Sequence, residues 1–79
     1  MPVLHVYSRP GCHLCEVLIE ELLPLLDGRI ALEVRNIDCN EEWRYEYDIR
    51  IPVVEYEGRV VCEYQLDRAR IDELVAAIT

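Results

Sequence analysis

Two cysteines, Cys12 and Cys15, stand where one apolar stretch gives way to another. Before them runs Val3-Leu4-His5-Val6-Tyr7-Ser8, which reads as a strand, and after them Glu16-Val17-Leu18-Ile19-Glu20-Glu21-Leu22-Leu23, which reads as a helix. A Cys-x-x-Cys pair at a strand-to-helix junction is a reactive setting. The first N–H groups of a helix have no intrahelical partners, and the macrodipole places partial positive charge there. Thiols so placed have pKa values lowered to roughly 3.5–7.5. Cys15 lies one turn on, on the same face as Cys12 and within bridging reach. That geometry suits thiol–disulfide exchange, one sulfur attacking and the other resolving.

Two plainer readings stand beside it. The pair could be half of a structural zinc site, but such a site needs four ligands. Cys39 and Cys62 stand alone, and the histidines, His5 and His13, form no H-x₃₋₅-H pair; no metal ligand is assigned. The cysteines could also be incidental. The strand–CxxC–helix context places the redox reading ahead of both.

At 79 residues, 52% of them hydrophobic, the chain is expected to form a single domain, 1–79, with a core that needs no disulfide framework. The start, Met1-Pro2-Val3-Leu4, lacks the basic region of a signal peptide, and no segment approaches the ~20 apolar residues of a membrane span. A cytoplasmic protein with free or catalytic thiols is the expectation. The net charge of -8 argues against nucleic acid and anionic membranes as partners and leaves room for a basic protein partner.

Read in order, His5 interrupts the first strand and is expected to be a core histidine bonded to backbone, with tuning of a nearby thiol as the alternative. Ser8-Arg9-Pro10-Gly11 forms the loop; Arg9 either favours a Cys12 thiolate or is a solvated charge. In the first helix Leu14, Val17, Leu18 and Leu22 share a face, and Pro24 is expected to bend or end the helix near Leu22–Leu23. Arg29 to Ile37 alternates as a half-exposed edge strand, with Ile30, Leu32 and Val34 on one face. Cys39 reads as a small buried hydrophobe. Asp38 or Asn40 caps a short helix, Glu41 to Tyr47, that Trp43 and Tyr47 anchor. Ile51 to Tyr56 and Arg59 to Glu63 form a hairpin turning at Glu57-Gly58. Asp67 caps the last helix, where Leu66 and Ile71 form a staple and Ile71, Leu74, Val75 and Ile78 the buried face.

The resulting order, β-α-β-α-β-β-α, with Cys12-x-x-Cys15 after the first strand and Ile51-Pro52 before the third, resembles the glutaredoxin-like family of the thioredoxin fold. The similarity is closest to the small glutaredoxin-like proteins of bacteria, which carry a like Arg-Pro-x-Cys-His-Leu-Cys stretch. It implies an α/β fold with a four-stranded mixed sheet flanked by three helices. It also implies that Cys12 is the nucleophile and Cys15 the resolving thiol. Pro52 would be a cis-proline facing the disulfide, and Ile51 would pair through its backbone with bound substrate. Tyr7 and Arg9 match a Tyr-x-Lys/Arg pattern, which would place Tyr7 with Ile51 and Pro52 among the substrate-binding residues and in which the basic residue helps bind glutathione and favours the thiolate. His13 would bond the thiolate or raise the potential, or be an exposed first-turn residue.

The departures bear on the reductant. Counted from Pro52, the family's Gly-Gly falls on Cys62-Glu63 and its acidic pair on Gln65-Leu66. Glu63 would repel a ligand carboxylate. The usual Thr-Val is Arg50-Ile51, and the buried acid of thioredoxins is replaced by Val6. Glutathione stays open as a reductant, with these residues against it, and no bound cofactor is expected. The reading is therefore a dithiol oxidoreductase, expected as a monomer, acting on a disulfide-containing protein and recycled by an unnamed reductant. The alternatives are a non-catalytic thioredoxin-fold binding module and, behind it, a metal or iron–sulfur carrier.

Overall fold

A computed structural model describes residues 2–78. Strand β1 (Val3–Ser8) leads into helix α1 (His13–Leu26), strand β2 (Ala31–Asn36), a 3-10 turn (Ile37–Cys39) and helix α2 (Glu41–Tyr47). Strands β3 (Val53–Tyr56) and β4 (Arg59–Glu63) and helix α3 (Arg68–Ile78) complete the chain. The strands form one mixed sheet in the order β2-β1-β3-β4. β1 runs parallel to β2 and antiparallel to β3, and β3 runs antiparallel to β4. This is a thioredoxin-like α/β fold, and β2 is an edge strand as its alternation predicts.

Strand alternation divides the apolar side chains between two layers. Leu4, Val6 and Val54 point to one face, where Leu18, Leu22 and Leu26 of α1 and Ile71 and Val75 of α3 cover them. Tyr7 and Val53 point to the other, where Trp43 and Tyr47 of α2 pack. β1 is thus covered on both sides. A bulge between Val54 and Glu55 sets Val54 opposite Cys62 and Glu55 opposite Val60, so Val61 is the extra residue. Val61 and Cys62 both join the core as a result.

Helix α1 departs from expectation twice. It buries Cys15, Leu18, Leu22 and Leu26, whereas Leu14 is 47% exposed. The buried stripe therefore starts on the cysteine and not on the leucine before it. The helix also runs through Pro24 to Leu26. Proline removes one N–H from the ladder, but Leu26 is 2% exposed, and burying it stabilises the last turn. The stop comes at Asp27 and Gly28, both left-handed (φ 50° and 70°), with Arg29 N–H bonded to the Leu26 carbonyl at 2.9 Å.

The remaining elements begin and end for local reasons. Asn40 caps α2, its side-chain oxygen accepting from the N–H groups of Glu42 and Trp43. Asp67 caps α3 by accepting from Arg70 N–H at 3.2 Å. Glu57 and Gly58 both have positive φ (50° and 79°), as a tight hairpin turn requires. β3 begins at Val53, two residues later than the apolar run suggests, because Ile51 and Pro52 belong to the approach loop. Cys39 is exposed rather than buried. It ends a 3-10 turn whose one buried residue, Ile37, takes the inward position.

The α1 correction can be tested by denaturation. Leu22→Ala is expected to cost about 2–5 kcal/mol and Leu14→Ala no more than about 0.5 kcal/mol in urea unfolding. Equal losses would return Leu14 to the core.

Candidate active site

Helix α1 begins on a cysteine. Cys12 is its N-cap, in extended conformation (φ -86°, ψ 101°), and its Sγ accepts the N–H of Cys15 at 3.2 Å. Gly11, at φ 81°, makes the preceding turn, and Cys12 N–H bonds back to the Arg9 carbonyl at 3.3 Å. Cys12 and Cys15 are joined as a disulfide with Cα atoms 5.3 Å apart, within the range such bonds span. Their exposures differ: Cys15 is 2% exposed, whereas Cys12 is only partly covered. In the reduced pair the N–H of Cys15 would stabilise a thiolate on Cys12.

The loop before β3 approaches the same end of the sheet. The Ile51–Pro52 peptide is cis. Pro52 is buried, and its carbonyl accepts from Tyr64 N–H at 2.7 Å. Tyr64 has φ 70°, a left-handed conformation that suits glycine best. Counting from Pro52 places the family's glycine pair on Cys62-Glu63, and the left-handed residue of this chain, Tyr64, directly follows them.

Arg9 is held by two carboxylates. Its Nη2 donates to Asp38 at 2.9 Å and its Nη1 to Asp48 at 2.9 Å. These hydrogen bonds hold the guanidinium pKa above its ordinary value. The clamp joins the CxxC loop to the turn after β2 and to the end of α2. It also gives the group a formal charge of −1, so Arg9 does not act on Cys12 as a lone cation. Arg50 is engaged likewise. It donates to Glu63 at 2.9 and 2.8 Å and to Glu46 at 2.8 Å, and lies 5.3 Å above the Tyr47 ring. The carboxylate of Glu63, which its position alone marks as repulsive, is therefore ion-paired.

Tyr7 is 3% exposed and belongs to the core. Its ring stacks on Tyr47 at 4.1 Å and meets Trp43 edge-on at 5.6 Å. Its hydroxyl donates to Glu55 at 3.4 Å and accepts from Arg35 at 2.8 Å. Burial pushes the Tyr47 pKa upward, so its hydroxyl remains the donor to Glu55. His5 joins this network through a side chain instead of the backbone: Arg35 donates to its Nε2 at 3.1 Å. Glu33 is held below the usual carboxylate range by its hydrogen bond from Arg35. His13 is exposed at the first position of α1. The structure thus sets Cys12, Cys15, His13 and Arg9 on one loop–helix junction, while Tyr7 is in the core. Asp38, Asp48, Glu46 and Tyr64 carry no local signal that marks them for this site.

Residues 3–76 match the family model of the glutaredoxin-like domain (DUF836). The chain belongs to this family. Among solved structures it is similar to Northeast Structural Genomics target protein XcR50 from X. campestris. The X-ray structure of that protein is 28% identical over 94% of this chain and 96% of its own, with a TM-score of 0.73. Its solution structure gives 29% identity over 98% and 95%, with a TM-score of 0.74. No curated protein matches the chain.

The other two thiols of this glutaredoxin-like chain differ in reach. Cys62 is buried, and desolvation raises its pKa, while Cys39 is exposed. Iodoacetamide at neutral pH is expected to label the oxidised native protein once, at Cys39; labelling of Cys62 would show that β4 opens. Asp48→Asn is expected to lower the Cys12 pKa, because it removes a negative charge and loosens Arg9. Thiolate absorbance against pH reads this, and a rise would mean that the clamp favours the thiolate.

Proposed function

We propose that this glutaredoxin-like protein is a thiol–disulfide oxidoreductase acting on protein disulfides through Cys12 and Cys15. The observation that carries the reading is the pairing of a partly exposed N-cap sulfur with a buried partner one turn inside the same helix. The Cys12 thiolate attacks one sulfur of a substrate disulfide. The substrate's other sulfur leaves as a thiolate and takes a proton from solvent. Cys15 then loses its proton and attacks Cys12 Sγ, the substrate's remaining sulfur leaves, and the Cys12–Cys15 disulfide forms. Two electrons pass to the substrate, and an external dithiol or thiol donor must return two.

The N–H groups of Arg50 and Ile51 already bond to the Tyr47 carbonyl at 2.9 and 3.1 Å, so an extended polypeptide would meet this segment through the Arg50 and Ile51 carbonyls. A protein substrate fits this opening better than glutathione. The ion-paired Glu63 takes up Arg50, the cation that a small anionic ligand would use there. His13 is assigned a share in stabilising the thiolate, and Arg9 the positioning of the loop. Among the described residues no helix is long and apolar enough to cross a membrane.

The test is a trap. Cys15→Ser is expected to accumulate a mixed disulfide on Cys12 and to lose most turnover, whereas full turnover removes the resolving role. Titration of the wild type in glutathione buffers, read by intact mass, should give a reversible Cys12–Cys15 disulfide with a potential of roughly −270 to −200 mV. If neither that disulfide nor a mixed disulfide forms, the non-catalytic binding module replaces this reading. Glutathione held mainly on Cys12 would make glutathione the donor.

A further inference from the structure

Helix α2 has an outer side that its packing does not use. Trp43 and Tyr47 turn inward to the sheet, so Tyr45 points away from it, and Tyr45 is 91% exposed. Ile49, four residues on, is 87% exposed. Beside Tyr45 lies a groove of about 520 Å³ lined by Tyr7, Trp43, Tyr45 and Tyr47 together with Glu41, Glu42 and Glu46. Its lining contains aromatic rings and carboxylates and no cation. Arg44 of the same helix does not line it.

The neighbouring rings already hold guanidinium groups from the chain itself. Arg35 sits 5.1 Å from the Trp43 ring centroid, and Arg50 sits 5.3 Å from that of Tyr47 and pairs with Glu46. A planar cation on an aromatic face with a carboxylate beside it is thus the way this end of the molecule is built. Tyr45, Glu41 and Glu42 offer the same combination outward.

We propose that the outer groove of α2 is a docking surface for an arginine-bearing basic segment of a partner protein. A guanidinium would lie against Tyr45, beside Trp43, and be paired by Glu41 and Glu42. The surface is separate from the Cys12–Cys15 pair, and its occupation requires no thiol. Guanidinium is preferred to ammonium because the plane stacks and the fork pairs with carboxylates. The negative field of a chain with net charge -8 would speed the encounter.

Trp43, the sole tryptophan, reports on the groove. The experiment titrates the full chain with an acetylated, amidated hexa-arginine peptide and follows Trp43 fluorescence, with hexalysine as comparison. Hexa-arginine should give a saturable change and bind more tightly than hexalysine. Tyr45→Ala should weaken it by about fivefold, and Glu41→Gln/Glu42→Gln by a similar factor. A control pair on the far helices, Glu20→Gln/Asp72→Asn, removes the same charge and should leave binding within about twofold. All these positions are exposed, and circular dichroism checks that the variants fold. No saturable change overturns the proposal. So does equal weakening by the control pair, which would make the binding an effect of net charge alone, or indifference to Tyr45→Ala. Thiol exchange in the Cys15→Ser trap is measured separately, so the failure of one reading is distinguishable from that of the other.

Discussion

Everything in this molecule is hung on a strand with no free side. β1 pairs along both its edges and is covered on both its faces, with Leu4 and Val6 in one apolar layer and Tyr7 in the other. Such a strand cannot shift register without exposing one layer and burying polar groups in the other. The chain therefore leaves β1 at a fixed point and in a fixed direction. Four residues later Cys12 caps α1, and the stripe of Cys15, Leu18, Leu22 and Leu26 holds that helix against the same sheet. The geometry of the cysteine pair is set by apolar burial below it; the local hydrogen bond from Cys15 N–H only finishes it.

The electrostatics around that pair come from residues far apart in the chain. Arg9 meets Asp38 and Asp48, which are 29 and 39 residues away, and Arg50 meets Glu63 across the β3–β4 hairpin. Each pair is exposed enough to contribute little to stability. Their effect is on position and field: both arginines are committed, and both tie a loop at the cysteine end of the sheet to a neighbouring element. Arg9 and Arg50 are thus both ion-paired at the end of the sheet where Cys12 lies.

Local patterns revealed the element order, the caps at Asn40 and Asp67 and the turn at Glu57-Gly58, because each rests on chemistry within a few residues. What they missed was decided at longer range. Leu14 and Cys15 are neighbours in the chain but about 100° apart around the helix, and hydrophobicity alone favours the leucine for the core; the tether to β1 turns the cysteine inward. Pro24 looks like a stop until Leu26 is seen to be buried. The resemblance marks Tyr7 as a substrate-binding residue because its ring partners Trp43 and Tyr47 lie far along the chain. The family pattern, likewise, could not reveal that Tyr64 takes the left-handed conformation.

The unequal exposure of the two cysteines carries a kinetic meaning. With Cys15 2% exposed, any macromolecule that reaches the pair reaches Cys12. In the proposed exchange, a molecule that delivers electrons and a molecule that receives them would then use the same sulfur, and could not do so together. The proposed cycle would be obliged to alternate, each partner leaving before the other arrives, which is the behaviour of a ping-pong carrier. An excess of either partner would hold the protein in one half of its cycle and slow the whole. A single doorway thus sets the traffic rule.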